Sequence, residues 1–226
     1  MKRKLLSVCL LLFSVAALAS YEDINALRIH GKYSEIVYHT CPDNNHPHAI
    51  DLGLPSGTKW CCCNVGASAP EEYGGYYAWG ETNEKSVYDR DTYAFYSSST
   101  GYVNIGTDIS GTQYDVAHVR MGAPWRMPTH EQQVELMENC TRQWTQQNGV
   151  NGILVTGSNG GQVFLPAGGD RWSEYLSIVG VFGSYWSSSL GPNGGNGAYY
   201  LFFDSGVWRW GYDGRSCGHS VRPVCP

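Results

Sequence analysis

The chain has 226 residues, a formal net charge of −5 and only 15% charged residues, but 16 tyrosines and 8 tryptophans. Its acidic balance argues against nucleic acid as a partner, because a negative surface repels phosphate backbones. The length allows one large domain or two small ones, with a core that needs no metal or disulfide to form.

The first residues predict a secretory signal peptide over residues 1–19. They combine a positive tip at residues 2–4, an apolar stretch over residues 5–17 and a small-x-small cleavage pattern that ends at Ala19. The apolar stretch is too short to span a bilayer. We therefore expect an exported protein, in the periplasm, at the cell surface or outside the cell, with no transmembrane segment.

Residues 20–48 predict an irregular lead-in that ends in turn-forming residues. His46 and His48 are interpreted as loop histidines, since no cysteine or carboxylate grouping stands beside them at ligand spacing. The cysteines at 61–63 lack the C-x-x-C spacing of a zinc knuckle and are interpreted as strand packing with room for one disulfide. We therefore predict no metal and no cofactor. Seven cysteines follow the signal peptide, so at least one has no partner within the chain.

Short strands and two helices are predicted next. Residues 51–60 form a turn that leads into a buried strand at 61–67, and the aromatic residues 73–79 suggest a second strand. Residues 81–113 are interpreted as loops and 114–121 as a short helix. Thr129 and Gln132 form a capping box for a longer helix, whose apolar stripe runs from Val134 to Trp144.

The last third of the chain predicts hairpins. Residues 153–155 and 163–165 flank a turn at 158–161, and residues 199–203 and 207–210 flank a turn at 204–206. Residues 220–224 predict a final strand that has Pro223 near its end. We expect one α+β domain over residues 49–226.

The strongest functional signal is a row of rings in the later hairpin. Alternate residues of a strand share a face, so Trp208, Trp210 and Tyr212 point the same way. Glycines surround them, as is typical of surface loops, which favours a binding surface over core packing. No nucleophile-elbow, phosphate-loop, dinucleotide or zinc-protease motif is present in the sequence, so we predict that the protein is not an enzyme.

Six short motifs then carry a family likeness. In order they are DLGLPSGTKW at 51–60, CNVGA at 63–67, YAWGET at 77–82, WRMPT at 125–129, YWSS at 185–188 and SVRPV at 220–224. From Ala49 to Val224, this set resembles a paralogous bacterial domain abundant in gut anaerobes. That domain is similar to the C-type-lectin-like folds of formylglycine-generating enzymes and to the variable proteins of diversity-generating retroelements.

The resemblance implies a C-type-lectin-like α+β fold with two helices, a twisted antiparallel sheet and long loops. It also implies that framework motifs enclose the ligand contacts, in the stretch that varies among retroelement-type relatives. Whether a retroelement diversifies this gene stays open. The implied ligand-binding residues are Leu190, Asn193, Asn196, Tyr199, Trp208, Trp210, Tyr212, Arg215 and His219. The expected ligand is a protein or a glycan at a cell surface. The calcium-bridging motifs of sugar-binding lectins are absent from the sequence, and no motif matches the active cysteines of formylglycine-generating enzymes.

Two other functions stay open. A thiol-dependent or sulfatase-activating type of enzyme could use the cysteines at 61–63, Cys217 or Cys225. A structural subunit of a surface assembly is the third hypothesis, and the sequence leaves the oligomeric state undetermined.

Overall fold

The computed structural model describes residues 41, 43–192 and 195–226. The predicted signal peptide, most of the predicted lead-in and Asn193 lie outside the described residues. Thirteen strands and two helices make up the regular structure of the described part. The strands are β1 (Ala49–Asp51), β2 (Lys59–Cys61), β3 (Tyr96–Ser97), β4 (Gly101–Tyr102), β5 (Thr141–Gln147), β6 (Val150–Thr156), β7 (Gln162–Pro166), β8 (Arg171–Trp172), β9 (Tyr175–Leu176), β10 (Phe182–Leu190), β11 (Gly197–Asp204), β12 (Trp208–Gly214) and β13 (Val224–Cys225). The helices are α1 (Val116–Met121) and α2 (His130–Asn139).

The described strands form five small, separate antiparallel sheets. The orders are β1-β2-β13, β3-β4, β5-β6-β7, β8-β9 and β10-β11-β12. In the described part 38% of residues lie in strands and 9% in helices, so the chain is mostly β. The predicted α+β, C-type-lectin-like fold is therefore wrong. Each strand of the late hairpins pairs with the strand next to it in the sequence. The hairpins therefore form separate sheets and not one twisted sheet.

The local signals for the two helices are present in the structure. Thr129 accepts a hydrogen bond from the backbone N–H of Gln132 at 3.2 Å, and the Gln132 side chain accepts the N–H of Thr129 at 3.0 Å. This reciprocal pair satisfies two backbone donors at the start of α2. The predicted stripe to Trp144 is wrong, because α2 ends at Asn139 and Trp144 lies in β5, paired with Ile153 of β6.

Both predicted hairpins are present and are longer than predicted. The turn after β11 is held by Asp204, whose carboxylate accepts the N–H groups of Gly206 at 2.7 Å and Val207 at 2.6 Å. The strands predicted at 61–67 and 73–79 are not formed as predicted. β2 ends at Cys61, and Tyr77 forms only an isolated bridge with His219.

The largest core cluster lies between the sheets β1-β2-β13, β5-β6-β7 and β10-β11-β12. Its larger members include Ile50, Trp60, Ile153, Leu165, Tyr185, Leu201 and Phe203. Burial of this apolar surface is the main stabilising contribution expected for such a core. The core therefore fixes the position of β11, which in turn positions β12 through seven consecutive residue pairs.

Two glycines bring the turn after β6 against the backbone at the end of β1. A side chain at Gly157 would overlap the carbonyl oxygen of Leu52, and one at Gly161 would overlap that of Asp51. Asn159 spans the same junction and donates to the carbonyl of Asp51 at 3.1 Å. Close backbone approach of this kind requires glycine, which has no Cβ.

Candidate functional site

The first candidate site lies along β12. This strand pairs with β11 on one side, and no described strand pairs with its other side. Trp210 and Tyr212 are 48% and 51% exposed and stand opposite Leu201 and Tyr199 of β11. Directly opposed residues of an antiparallel pair share a face, so the exposed rings continue the face that buries Leu201. We call Tyr199, Trp210, Tyr212 and the adjacent His130 the aromatic edge.

His130, the first residue of α2, holds the aromatic edge together. Its ring stacks on Tyr199 with centroids 4.0 Å apart and meets Trp210 edge-on at 5.1 Å. The backbone N–H of His130 donates to Ser189 Oγ at 3.0 Å, which fixes the helix start against β10. Its ring atom Nδ1 is buried and has no hydrogen-bond partner among the described residues. Burial lowers the pKa of His130, although Glu131 opposes that shift, and a neutral ring suits this stacked position.

The other residues predicted to bind ligand on β11, β12 and the preceding loop differ in exposure. Asn196 is exposed, and Leu190 and Tyr199 are half-buried. Trp208 is half-buried and packs on the main core, with the Arg142 guanidinium 5.9 Å from its ring. The structure therefore brings Tyr199, Trp210 and Tyr212 together at the surface and turns most of Trp208 inward.

Arg215 and His219 are interior residues, at 1% and 0% exposure, so the ligand contacts predicted for them are not available at the surface. Arg215 donates to Tyr93 Oη at 2.9 Å and to the carbonyls of Val103 at 3.1 Å and Gly195 at 2.9 Å. Its guanidinium also lies 4.9 Å from the Trp79 ring. Glycines and turns around Arg215 suggested exposure, but the aromatic rings of residues 79–102 cover it.

His219 occupies a second buried position. Its ring stacks on Trp186 at 4.0 Å, and its Nε2 lies 3.2 Å from Asp213 Oδ2. Asp170 joins these two residues in a group whose side-chain atoms lie within 4.8 Å of one another. Burial pushes the pKa of Asp213 up, but the hydrogen bond and charge of His219 hold it below its usual value. The hydrogen bond between the two side chains therefore ties residue 213 to residue 219.

The second candidate site is a cluster of two cysteines and two histidines that the sequence analysis missed. Cys41, His46, His48 and Cys62 each present a ligand atom, and these atoms all lie within 4.8 Å of one another. Cys62 Sγ lies 3.3 Å from His46 Nδ1 and 3.9 Å from His48 Nδ1. We call these four residues the Cys–His cluster. None of its cysteines is bridged, and no disulfide links the other described cysteines.

Neighbouring groups orient the Cys–His cluster. His48 Nε2 lies 3.2 Å from the Asp43 carboxylate, and the His48 backbone N–H donates to Cys62 Sγ at 3.0 Å. The buried Arg222 donates to the carbonyls of Cys61, at 3.0 Å, and of Cys62, which fixes the backbone behind the thiol. Cys41, His46 and Cys62 line a cavity of about 480 Å³.

The thiol groups of this region differ in acidity. Hydrogen bonds from the Cys61 and Cys63 thiols lower the pKa of Cys62, and the His48 N–H adds to this effect against the opposing effect of burial. Burial and the neighbouring Cys62 raise the pKa of Cys41 to about 12. Cys62 is thus the more acidic of the two thiols of the cluster. Its nearest partners can donate protons to it or share a cation with it.

A sequence signal for this cluster existed. Cys41, His46 and His48 lie within eight residues, but their fourth partner follows fourteen residues later, in a run of three cysteines. Only the fold selects Cys62 from the run 61–63.

No protein family, curated protein or solved structure matches this chain. Among the described residues, no helix is long and apolar enough to cross a membrane.

Proposed function

We propose that the chain is an exported ligand-binding protein that recognises a partner through the aromatic edge. The observation that carries the proposal is the half exposure of Trp210 and Tyr212 on a strand whose second side pairs with no described strand. Contiguous exposed aromatic patches often mark contact surfaces, and Tyr199 and His130 extend the patch here by stacking beside Trp210. Tyrosine and tryptophan supply rigid contact area with polar tips at low entropic cost.

The open side of β12 favours a protein ligand in an extended conformation. A strand at a sheet edge presents unpaired backbone N–H and C=O groups, which an extended peptide can pair with. The exposed rings then supply pockets for alternate side chains of that peptide. A glycan would stack on the same rings, with the exposed Asn196 as an available polar group, and is the second ligand class to test.

The proposal assigns binding, and no catalysis, to this surface of three aromatic rings and one stacked histidine. Diversification of this surface by a retroelement stays a prediction. A reverse-transcriptase gene beside this one, with a near-copy of its 3′ end that differs at adenines, would support it.

A display experiment tests the binding proposal. Phage that carry random linear dodecapeptides are selected on the purified chain, and the affinity of each selected synthetic peptide is measured by fluorescence polarisation. We expect the Trp210→Ala/Tyr212→Ala variant to bind at least tenfold more weakly, about 1.4 kcal/mol or more. N-methylation of alternate peptide residues should abolish binding, because it removes donors of a strand pair.

The matched control is Trp172→Ala/Tyr175→Ala in the small sheet β8-β9. These two rings are 63% and 69% exposed, so the control removes a similar aromatic pair from another surface. We expect it to keep peptide affinity within twofold of wild type. Equal losses in both double variants would contradict the proposal. Binding to an immobilised glycan array that is lost only in the Trp210/Tyr212 variant would replace the peptide with a glycan.

A further inference from the structure

We infer that Cys41, His46, His48 and Cys62 bind one Zn²⁺ ion as a four-coordinate structural site. This inference is independent of the ligand proposed for the aromatic edge, because the two sites share no residue.

The distances within the cluster fit a shared tetrahedral ion. With Zn–S near 2.3 Å and Zn–N near 2.0–2.1 Å, a sulfur and a nitrogen bound to one zinc lie about 3.5 Å apart. Cys62 Sγ lies 3.3 Å from His46 Nδ1 and 3.9 Å from His48 Nδ1. The two imidazole rings meet at 84° with centroids 5.3 Å apart, so both can direct Nδ1 to a common point.

The surroundings of His48 match those of a metal ligand. A metal-bound histidine usually donates its other ring N–H to a carboxylate, which fixes the tautomer and orients the ring. His48 turns Nδ1 toward Cys62 and places Nε2 3.2 Å from the carboxylate of Asp43. That arrangement leaves the Nδ1 lone pair available for a cation.

The donor set selects the ion. Two thiolates and two neutral imidazoles form a soft, tetrahedral S₂N₂ set, which is typical of zinc and poorly suited to Mg²⁺ or Ca²⁺. Two thiolates also neutralise the charge of the divalent ion. Four protein ligands leave no coordination position open, which is the pattern of a structural site.

The proposed ion has a clear mechanical role. Residues 43–48 form neither helix nor strand, and His48 leads directly into β1. Cys62 follows β2, which pairs with β1. Zinc would therefore join the irregular residues before β1 to Cys62, directly after β2. Residues 43–48 bury little apolar surface, so the ion would supply the contact that holds them.

Metal content of the full chain tests the site. The protein is purified in reducing, metal-free buffer, loaded with one equivalent of Zn²⁺, dialysed and measured by inductively coupled plasma mass spectrometry. We expect about one zinc per chain. Co²⁺ loaded in place of zinc should give the visible absorption of a tetrahedral ion and a thiolate-to-cobalt charge-transfer band.

Two ligand variants and two controls sharpen this test. Cys62→Ser could disturb the core, so His46→Ala, whose side chain is half-buried, provides an independent loss of one ligand. Both should lose zinc retention and the Co²⁺ spectrum. Cys140→Ser and His118→Ala remove a cysteine and a histidine outside the cluster and should retain both. A chelator should lower the melting temperature of the wild type and leave that of His46→Ala unchanged.

Three results would overturn the inference. The first is a wild-type chain that retains no zinc and gives no tetrahedral Co²⁺ spectrum. The second is a Cys41–Cys62 disulfide, found by non-reducing peptide mapping of protein kept with zinc and without reductant. The third is a Cys62 thiol that iodoacetamide alkylates equally fast with and without zinc, which would point to a Cys–His nucleophile instead.

Discussion

Residues 208–212 and residues 215–219 follow one another in the chain, and the sequence assigns both stretches to one ligand surface. The structure separates them. Trp210 and Tyr212 are about half exposed, whereas Arg215 and His219 are 1% and 0% exposed. The alternation of a strand determines which side chains share a face, but the surrounding chain determines whether that face meets water. Glycine-rich flanks therefore mark turns without showing which of the residues beside them are exposed.

The largest effect is expected at the buried Arg215. We expect Arg215→Met to lower the free energy of unfolding by about 3 kcal/mol, because three hydrogen bonds worth roughly 1 kcal/mol each are lost. Urea unfolding followed by tryptophan fluorescence measures the change.

Arg209→Met is the matched control. Arg209 is exposed and lies 4.8 Å from the Phe202 ring, an arrangement expected to contribute about 0.5–1 kcal/mol. A variant at Arg215 that is no less stable than the Arg209 variant would contradict the structural role of Arg215.

The two tryptophans of β12 provide the next test. They lie on one face, two residues apart, but Trp208 packs on the core and Trp210 is 48% exposed. We expect Trp208→Ala to cost about 2 kcal/mol of unfolding free energy and Trp210→Ala less than about 1 kcal/mol. Denaturant midpoints at equal slope measure both. Equal costs would mean that Trp208 and Trp210 are buried to the same extent.

The contact between His219 and Asp213 provides the last test. We expect His219→Leu, which keeps the ring position filled, to cost about 1–2 kcal/mol at neutral pH through loss of the hydrogen bond to the Asp213 carboxylate. The pKa of Asp213 is lowered from its ordinary value of 3.8, so its contribution is full above that pH and is lost as the pH falls through the lowered value.

Unfolding curves at a series of pH values measure this dependence. The stability difference between wild type and His219→Leu should shrink below about pH 4, as Asp213 becomes protonated. A difference that grows on acidification would assign the stabilisation to another group.

Sequence patterns predicted those features that depend on neighbours within a few residues. The capping box of Thr129 and Gln132, the short helix predicted over 114–121 and observed over 116–121, and the hairpin turn at Asp204 are of this kind. Each follows from side-chain to backbone hydrogen bonds or from alternation, which act locally. The exposure of Trp210 and Tyr212 also agrees with that local pattern.

Features that depend on distant partners were not predicted. The helical stripe continues through Trp144, yet pairing with β6 makes residues 141–147 a strand, since tertiary contacts override propensity. The described strands form five separate sheets because of long-range strand pairing. No local sequence pattern determines which strands pair. The Cys–His cluster depends on β2 bringing Cys62 to residues 41–48, so spacing rules for adjacent cysteines could not find it.

The junction at Gly157 and Gly161 has a consequence for how this chain can change over evolutionary time. A surface turn normally accepts many residues, and Ser158 and Asn159 are exposed. The carbonyl oxygens of Leu52 and Asp51 occupy the space that any side chain on either flanking glycine would need. Few substitutions should therefore be tolerated at Gly157 and Gly161, whereas many should be tolerated at Ser158 between them. Homologous sequences would then show two invariant glycines, one on either side of a variable turn.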